Sequence, residues 1–314
     1  MKTAIVGFGT IGKVHYDVLN ELGISICAIC DNKLEKLTDL PVNTYSDYNV
    51  MLEKEKPDVV HICTPHFLHA DMIISALERD INVLCEKPLC IKEEDIDRIL
   101  LAEKNSNAVL GVCHQNRYNK ENAFVKEYLA DKKVVCGHGE QVWTRTKEYY
   151  AQDIWRGKWQ TEGGGVLINQ SLHTLDLLIW VLGEPQEVVA HLDNVSLKGV
   201  IEVEDTASLI CSNGGNFTFF ATNASKTDFP VALRFLTDKE RVEILPQKVI
   251  IEDKVFNFEP NAKVYGKACY GVGHERLFID YYDALKNNRK FAIDGLEASK
   301  VIRVILKAYK QWQK

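Results

Sequence analysis

The 314-residue sequence has no run of about eighteen apolar residues, so no segment reads as a membrane-spanning helix. It has no basic cluster, and 38 Lys and Arg against 44 Asp and Glu leave a formal charge of −6. That balance excludes a general attraction to nucleic acid or to anionic lipid, and small molecules are the expected partners. The start, MKTAIVGFGTIGK, lacks the apolar core and small-residue cleavage site of a signal peptide, and we expect a cytoplasmic protein. No internal repeat, low-complexity stretch or flexible linker interrupts the chain.

Paired cysteines are missing as well. Nine is an odd count, and the residues are scattered at 27, 30, 63, 85, 90, 113, 136, 211 and 269, mostly beside Ile, Val or Leu. Buried thiols in a reducing compartment fit this better than a disulfide framework. Cys27 and Cys30 spell C-x-x-C, but inside an apparent strand, where positions three apart point to opposite faces. His61 belongs to a strand, while His66 and His69 belong to the turn after it, with no carboxylate or thiolate at a matching spacing. No metal site is expected.

What is present begins at the N-terminus. An apolar run, Thr3 to Val6, meets Gly7, Phe8, Gly9, Thr10, Ile11 and Gly12, and a helical pattern follows to Leu22. This is G-x-G-x-x-G between strand and helix. Gly7 allows the tight turn, Gly9 lets a pyrophosphate approach the backbone, and Gly12 lets helix and strand pack. The next strand ends at Asp31, where a carboxylate would accept hydrogen bonds from adenosine ribose hydroxyls and repel the 2′-phosphate of NADP. NAD is therefore expected rather than NADP, with Lys33 close enough to offset Asp31 in part.

Strands and helices continue to alternate as far as Val112, which predicts right-handed crossovers and an α/β, doubly wound (Rossmann) parallel sheet. Ligands of such sheets bind beyond the carboxyl ends of the strands, which here carry Asp31, Thr64-Pro65-His66, Glu86-Lys87-Pro88 and His114 to Tyr118. Lys87 follows a buried strand and precedes a proline that stiffens the turn. Desolvation and the positive ring of NAD⁺ would both favour a neutral lysine there, making it a proton carrier near neutral pH.

Residues 163 to 183, GGGVLINQSLHTLDLLIWVLG, predict a buried helix that stops at Gly183 and Pro185. A step of four advances about 40° past a full turn and a step of three falls about 60° short, so Asn169, His173 and Asp176 share one face. Ile168, Leu172, Leu175, Ile179 and Leu182 form an apolar stripe beside it. Three glycines at the start let a backbone or ligand approach closely. From the local sequence, the polar face is either the wall of a site or a hydrogen-bonded pair that fixes the helix in its core.

These segments together, GFGTIG, Asp31, CTPHFLHA at 63 to 70, CEKPL at 85 to 89, HQNRYN at 114 to 119 and WRGKWQTEGGGVLINQSLHTLDLL at 155 to 178, resemble the Gfo/Idh/MocA family of sugar-type oxidoreductases. The resemblance implies a nucleotide-binding domain at 1–118 and, at 119–314, an α+β domain on a large, mainly antiparallel open sheet, with substrate between them. It makes Lys87 the catalytic lysine, Glu86 a contact to cofactor ribose, and His173 the histidine exchanging a proton with the reacting hydroxyl. Asn32 beside Asp31, Cys63, Thr64, Pro65, His66 and His69 fall on the cofactor side, with Asn116 near the nicotinamide. Many members carry aspartate where Asn169 stands; an amide positions substrate but cannot relay a proton. Asp176 is expected as the structural partner of His173.

Later runs, Val134 to Thr144, Glu187 to Leu197, Thr206 to Cys211, Phe217 to Asn223, Val231 to Leu236 and Arg241 to Leu245, read as strands of that second sheet. An open sheet needs its outer face covered, so a homodimer or homotetramer packed sheet to sheet is expected. The C-terminal pattern from Ala298 to Tyr309 predicts an amphipathic helix packing back on the first domain. Arg156, Trp159 and His274 are further candidates for substrate contact, core packing being the alternative for Trp159. Three other readings remain for the whole chain: a redox-assisted glycosidase, a reductase of unsaturated rings, and a non-catalytic NAD(H) sensor.

Overall fold

The computed structural model describes residues 1–259, 263–265 and 272–312; Cys269 and Tyr270 lie outside them. By contact the chain divides into two units, Met1–Gln115 with Ala262–Ser299, and Asn116–Asn261 with Lys300–Lys314.

The first unit contains β1 (Thr3–Val6), α1 (Thr10–Glu21), β2 (Ile26–Cys30), β3 (Asn43–Tyr45), α2 (Tyr48–Glu55), β4 (Val59–Ile62), α3 (His69–Leu77), β5 (Asn82–Cys85), α4 (Glu93–Asn105) and β6 (Leu110–Val112). The strands pair in parallel in the order β3-β2-β1-β4-β5-β6. The order reverses between β1 and β4, which is where such sheets take ligands. All four residues of β1 and of β4 are buried, as helices on both faces require. Each fully buried Val or Ile contributes roughly 1.5–3 kcal/mol. The Asp47 side chain accepts the Val50 N–H at 2.8 Å and so starts α2, while Glu93, Glu94 and Asp95 complement the N-terminal dipole of α4.

The second unit begins with α5 (Lys120–Tyr128), β7 (Val134–Val142), α6 (Lys147–Ala151) and α7 (Leu172–Leu182). Seven strands follow: β8 (Glu187–Asp193), β9 (Thr206–Ser212), β10 (Phe217–Thr222), β11 (Ala232–Thr237), β12 (Arg241–Leu245), β13 (Lys248–Ile251) and β14 (Lys254–Asn257). With β7 they form an eight-stranded sheet in the order β14-β13-β12-β11-β7-β10-β9-β8, antiparallel except where β7 meets β10. Leu178 and Leu182 of α7 lie against Gly139 and Gly137 of β7, so this helix covers one face.

Two final helices, α8 (Gly273–Lys286) and α9 (Gly295–Trp312), depart from the sequence expectation. α8 was not anticipated and belongs to the first unit, not to one continuous domain from 119 onward. Tyr281 Oη donates to Val109 O at 3.0 Å, and Val112 N–H donates to Ile293 O at 3.0 Å, which extends the β6 edge. α9 is divided. Its first turn meets Glu103 and Leu110, whereas Tyr309, Lys307 and Gln311 bond to Glu204, Pro185 and Val188 of the second unit. The start of the helix thus belongs to the first unit, while Lys307, Tyr309 and Gln311 find partners in the second.

Candidate active site

At the carboxyl edge of the first sheet, ladder hydrogen bonds align Gly7, Cys63, Glu86 and Cys113: their N–H groups donate to Cys30, Val6, Ile62 and Cys85 at 2.8–2.9 Å. The segments beyond this row leave the sheet together. Gly7 has φ +86°, and a Cβ there would sit 2.5 Å from Cys63 O; at Gly12 it would sit 2.0 Å from Gly7 O. At Gly9 a Cβ would meet nothing within 4 Å. Two glycines are thus required by the fold, while the third borders open space at the N-terminus of α1, whose first amides have no side-chain cap. That arrangement fits a dinucleotide pyrophosphate.

Asp31 is 6% exposed, and its Oδ2 accepts the Phe8 N–H at 2.7 Å. The nearby cation is Lys36, with Nζ 3.1 Å from Oδ2, rather than Lys33, whose backbone N–H donates to Oδ1 at 2.9 Å. Asn32 is exposed, Thr64 and Pro65 half-buried, and Cys63 and His66 buried. Lys87 is half-buried in a turn whose Lys87–Pro88 bond is cis. His69 stands between the two loops, with Nδ1 2.7 Å from Pro88 O and Nε2 2.9 Å from Thr64 O. Glu86, expected at the cofactor ribose, faces inward at 5% exposure, with Oε1 3.0 Å from His15 Nε2 and 3.5 Å from His274 Nε2. His274, expected at the substrate, is 2% exposed and belongs with Glu86 in the first unit. His15, Glu86 and Cys113 bring potential ligand atoms within 4.8 Å of one another, a cluster the sequence did not announce.

In the second unit the stretch expected as one helix is broken. Gly163 and Gly164 have φ +85° and +149°, Val166–Gln170 forms a π-helical turn, and α7 starts after Ser171. A Cβ on Gly164 would lie 2.1 Å from Tyr309 Oη and one on Gly165 1.9 Å from Glu204 O, so protein neighbours demand these glycines. Asn169, 9% exposed, donates its amide to the fully buried Glu162 carboxylate, which also accepts the Gly157 N–H. His173 is half-buried on the first turn of α7. Asp176, expected as the partner of that imidazole, is engaged by a guanidinium. Arg117 holds it bidentately, Nε to Oδ2 at 2.8 Å and Nη2 to Oδ1 at 2.6 Å, with both side chains under 5% exposed. Asn116 is half-buried, and its carbonyl accepts from Asn122 at 2.7 Å.

Arg156 donates to Tyr149 Oη at 2.6 Å and stacks over Tyr149 and Trp155. Trp159 packs on the small core of Tyr150, Leu197, Ile201 and Val203 and edges onto Tyr309 at 5.0 Å, which favours its structural role. Glu204, unforeseen from the sequence, accepts the Gly165 and Leu167 N–H groups at 2.9 and 3.0 Å and the Tyr309 hydroxyl at 2.8 Å. Burial pushes its pKa up to about 7, against the pull of those donors. Nothing in the sequence singled out Glu162 or Glu204 among 44 acidic residues; their burial is what marks them.

A 3-2-1-4-5-6 parallel sheet with a glycine loop at its switch point and an acidic residue closing β2 defines the class of dinucleotide-binding Rossmann proteins. The chain belongs to the Gfo/Idh/MocA oxidoreductase family. Residues 1–114 match the family's oxidoreductase NAD-binding Rossmann fold, and residues 131–243 match a GFO/IDH/MocA C-terminal domain. Among curated relatives, the myo-inositol 2-dehydrogenase of Thermotoga maritima is 24% identical over 195 residues, 60% of this chain and 57% of that protein. The D-glucoside 3-dehydrogenase of Escherichia coli is 28% identical over 204 residues, 61% of this chain and 57% of that protein. The chain thus spans little more than half the length of these relatives. The WlbA dehydrogenase of Bordetella pertussis, solved with NADH and UDP-GlcNAcA, shares the fold with a TM-score of 0.86 at 24% identity, covering 100% of this chain and 96% of that one. Among the described residues no helix is long and apolar enough to cross a membrane.

Proposed function

We propose that the chain is an NAD-dependent oxidoreductase that moves hydride between the nicotinamide and a secondary alcohol or ketone of a sugar, polyol, inositol or related compound. The observation that carries this reading is Lys87, held just beyond the carboxyl edge of β5 in a family whose curated relatives are named as dehydrogenases of inositol and glucosides. NAD, when bound, accepts the hydride in the oxidative direction. Lys87 Nζ or the His173 imidazole takes the hydroxyl proton and returns it in the reverse direction. Asn169 positions the substrate, since an amide holds no transferable proton at ordinary pH. Asp31 selects NAD by its charge. On this reading the protein works in the cytoplasm as a homo-oligomer, a second copy covering the open face of the eight-stranded sheet.

The test is NADH formation from NAD⁺ with myo-inositol, a methyl D-glucoside, levoglucosan and UDP-GlcNAcA. Net NADH with any of them supports the proposal. Aglycone release without net NADH would instead indicate a glycosidase, and cofactor binding without turnover a sensor. Lys87→Met should bind NADH within about threefold of wild type yet lose turnover by roughly 100-fold or more. Near-normal turnover in that variant removes Lys87 from the mechanism.

A further inference from the structure

Behind the Lys87 turn runs a buried polar chain that this chemistry does not use. Thr3 Oγ1 lies 2.8 Å from Tyr282 Oη, which lies 3.0 Å from His61 Nε2. His61 Nδ1 lies 2.9 Å from His15 Nδ1, and His15 Nε2 lies 3.0 Å from Glu86 Oε1. Thr3, His15 and His61 are fully buried, and Tyr282 and Glu86 nearly so.

The proton positions follow by elimination. A carboxylate accepts, so His15 donates from Nε2. A neutral imidazole carries one N–H, so His15 Nδ1 accepts and His61 Nδ1 donates. His61 Nε2 then accepts from the Tyr282 hydroxyl, whose oxygen accepts from Thr3. Every donor points toward Glu86.

The electrostatics agree with that pattern. Burial lowers the pKa of His61 well below the usual range, and lowers that of His15 despite the opposing pull of Glu86. For Glu86, burial pushes upward, but hydrogen bonds from His15 and His274 prevail and hold it well below the usual carboxylate range. Among the described residues, Glu86 also faces His69, whose pKa burial lowers, and the thiols of Cys63, Cys85 and Cys113, which burial pushes well up and so keeps uncharged. The chain ends on the buried Thr3 hydroxyl, so it orders the turn rather than conducting protons to solvent.

On the other flank, His69 lies between two carbonyls, Nδ1 2.7 Å from Pro88 O and Nε2 2.9 Å from Thr64 O; burial lowers its pKa, and the neutral ring donates its one N–H to the nearer, that of Pro88. The residues on both sides of Lys87 are therefore held by buried imidazoles, and Glu86 Oε2 further accepts the Lys87 N–H at 3.2 Å.

We propose that His15 and His69 are positioning residues of the reaction, His15 by orienting the Glu86 carboxylate and His69 by anchoring the Pro88 carbonyl, and that they fix where the Lys87 side-chain nitrogen stands. The proposal rests on the reading of Lys87 as the proton-carrying residue. Long-range ¹⁵N–¹H NMR of the histidine-labelled wild-type chain should show His15 as the Nε2–H tautomer and His61 as the Nδ1–H tautomer, both neutral near pH 7. The opposite tautomers, an imidazolium at either residue, or a stoichiometric metal bound through His15 would overturn it.

The kinetic arm uses whichever alcohol of the panel the wild type oxidises fastest. His15→Phe keeps the ring packed on Phe278 but removes its polar ends. It should lower kcat by about 30-fold or more while KM and the NADH Kd stay within about threefold, and His15→Gln should recover most of the loss. Tyr282→Phe, the gentler change, should cost a few-fold in kcat and move the His61 resonance. A folded His15→Phe chain with wild-type kcat defeats the positioning role while leaving Lys87 in place if Lys87→Met is inactive. Turnover in Lys87→Met defeats the underlying reading even where the tautomers are as expected. The tautomer measurement needs no variant, so it stands if His15→Phe does not fold.

Discussion

Asp31 combines two tasks in one carboxylate. Its Oδ2 fixes the glycine loop through the Phe8 N–H, and on the proposed reading its position after β2 puts negative charge beside the adenosine ribose. Lys36, not Lys33, supplies the compensating ammonium, 3.1 Å away and partly exposed, so it screens the charge without removing it. NADH should therefore bind at least about tenfold more tightly than NADPH, a gap of roughly 1.4 kcal/mol. Fluorescence titration with both cofactors measures it; equal affinities would show that Lys36 cancels Asp31. The residue types at 31, 87 and 173 were readable because strand ends and a motif position them. The neighbours that decide their behaviour were not. Glu162 reaches Asn169, and His15 reaches Glu86 across 71 residues of sequence, by contacts that local spacing does not encode.

Between Gly163 and Leu182 the apolar spacing predicts one helix, and the chain forms a π-helical turn and then α7. The Ser171 N–H bonds to Val166 O at 2.8 Å, a closure over five residues that Gly164 and Gly165 accommodate by lying against Tyr309 and Glu204. Asn169 therefore does not share the face of an ideal helix with His173. Downstream, Arg117 and Asp176 tie α7 to the segment before α5. Arg117→Met would leave a buried carboxylate without its countercharge and should destabilise the fold by about 3–5 kcal/mol, with Asp176→Asn in the same chain restoring part of it. Urea unfolding of the two variants tests this; a loss under about 1 kcal/mol would mean that water replaces Arg117. Strands β13 and β14 escaped the sequence because Gln247 and Glu252 make their turns at φ +59° and +51°, where a glycine would have marked them.

Across the second unit's sheet, register aligns Val255, Ile250, Glu243, Arg234, His138, Thr218, Ile210 and Val189, one from each strand, on the face opposite α7. Val189 and Ile210 are 63% and 60% exposed, while Arg234 bridges Glu140 and Glu243 in the same region. Light scattering at micromolar concentration should give at least twice the chain mass, and Ile210→Asp should shift it toward the monomer. A monomeric wild type would reject the homo-oligomer. Glu204 sets a second property of the whole fold. Because its folded pKa, about 7, lies above the ordinary 4.5, its contribution to stability is complete below about pH 4.5 and is lost as pH rises through about 7. Glu103, also raised by burial to about 7, acts in the same sense. Thermal unfolding at about pH 5 and pH 8 should show a smaller difference for Glu204→Gln than for wild type. An unchanged slope would mean that Glu204 is ionised throughout.

The sequence by itself determined the parallel first sheet, its glycine loop and acidic strand end, the Lys87 turn, and most of the second sheet, because two-residue and 3.6-residue periodicities and strand-end motifs are local properties. Tertiary structure decided the rest: the return of α8 to the first unit, the division of α9, the Arg117–Asp176 pair, and the histidines behind Glu86. Each depends on which distant side chains are desolvated together, and a buried polar group takes whatever partner the fold brings within about 3 Å.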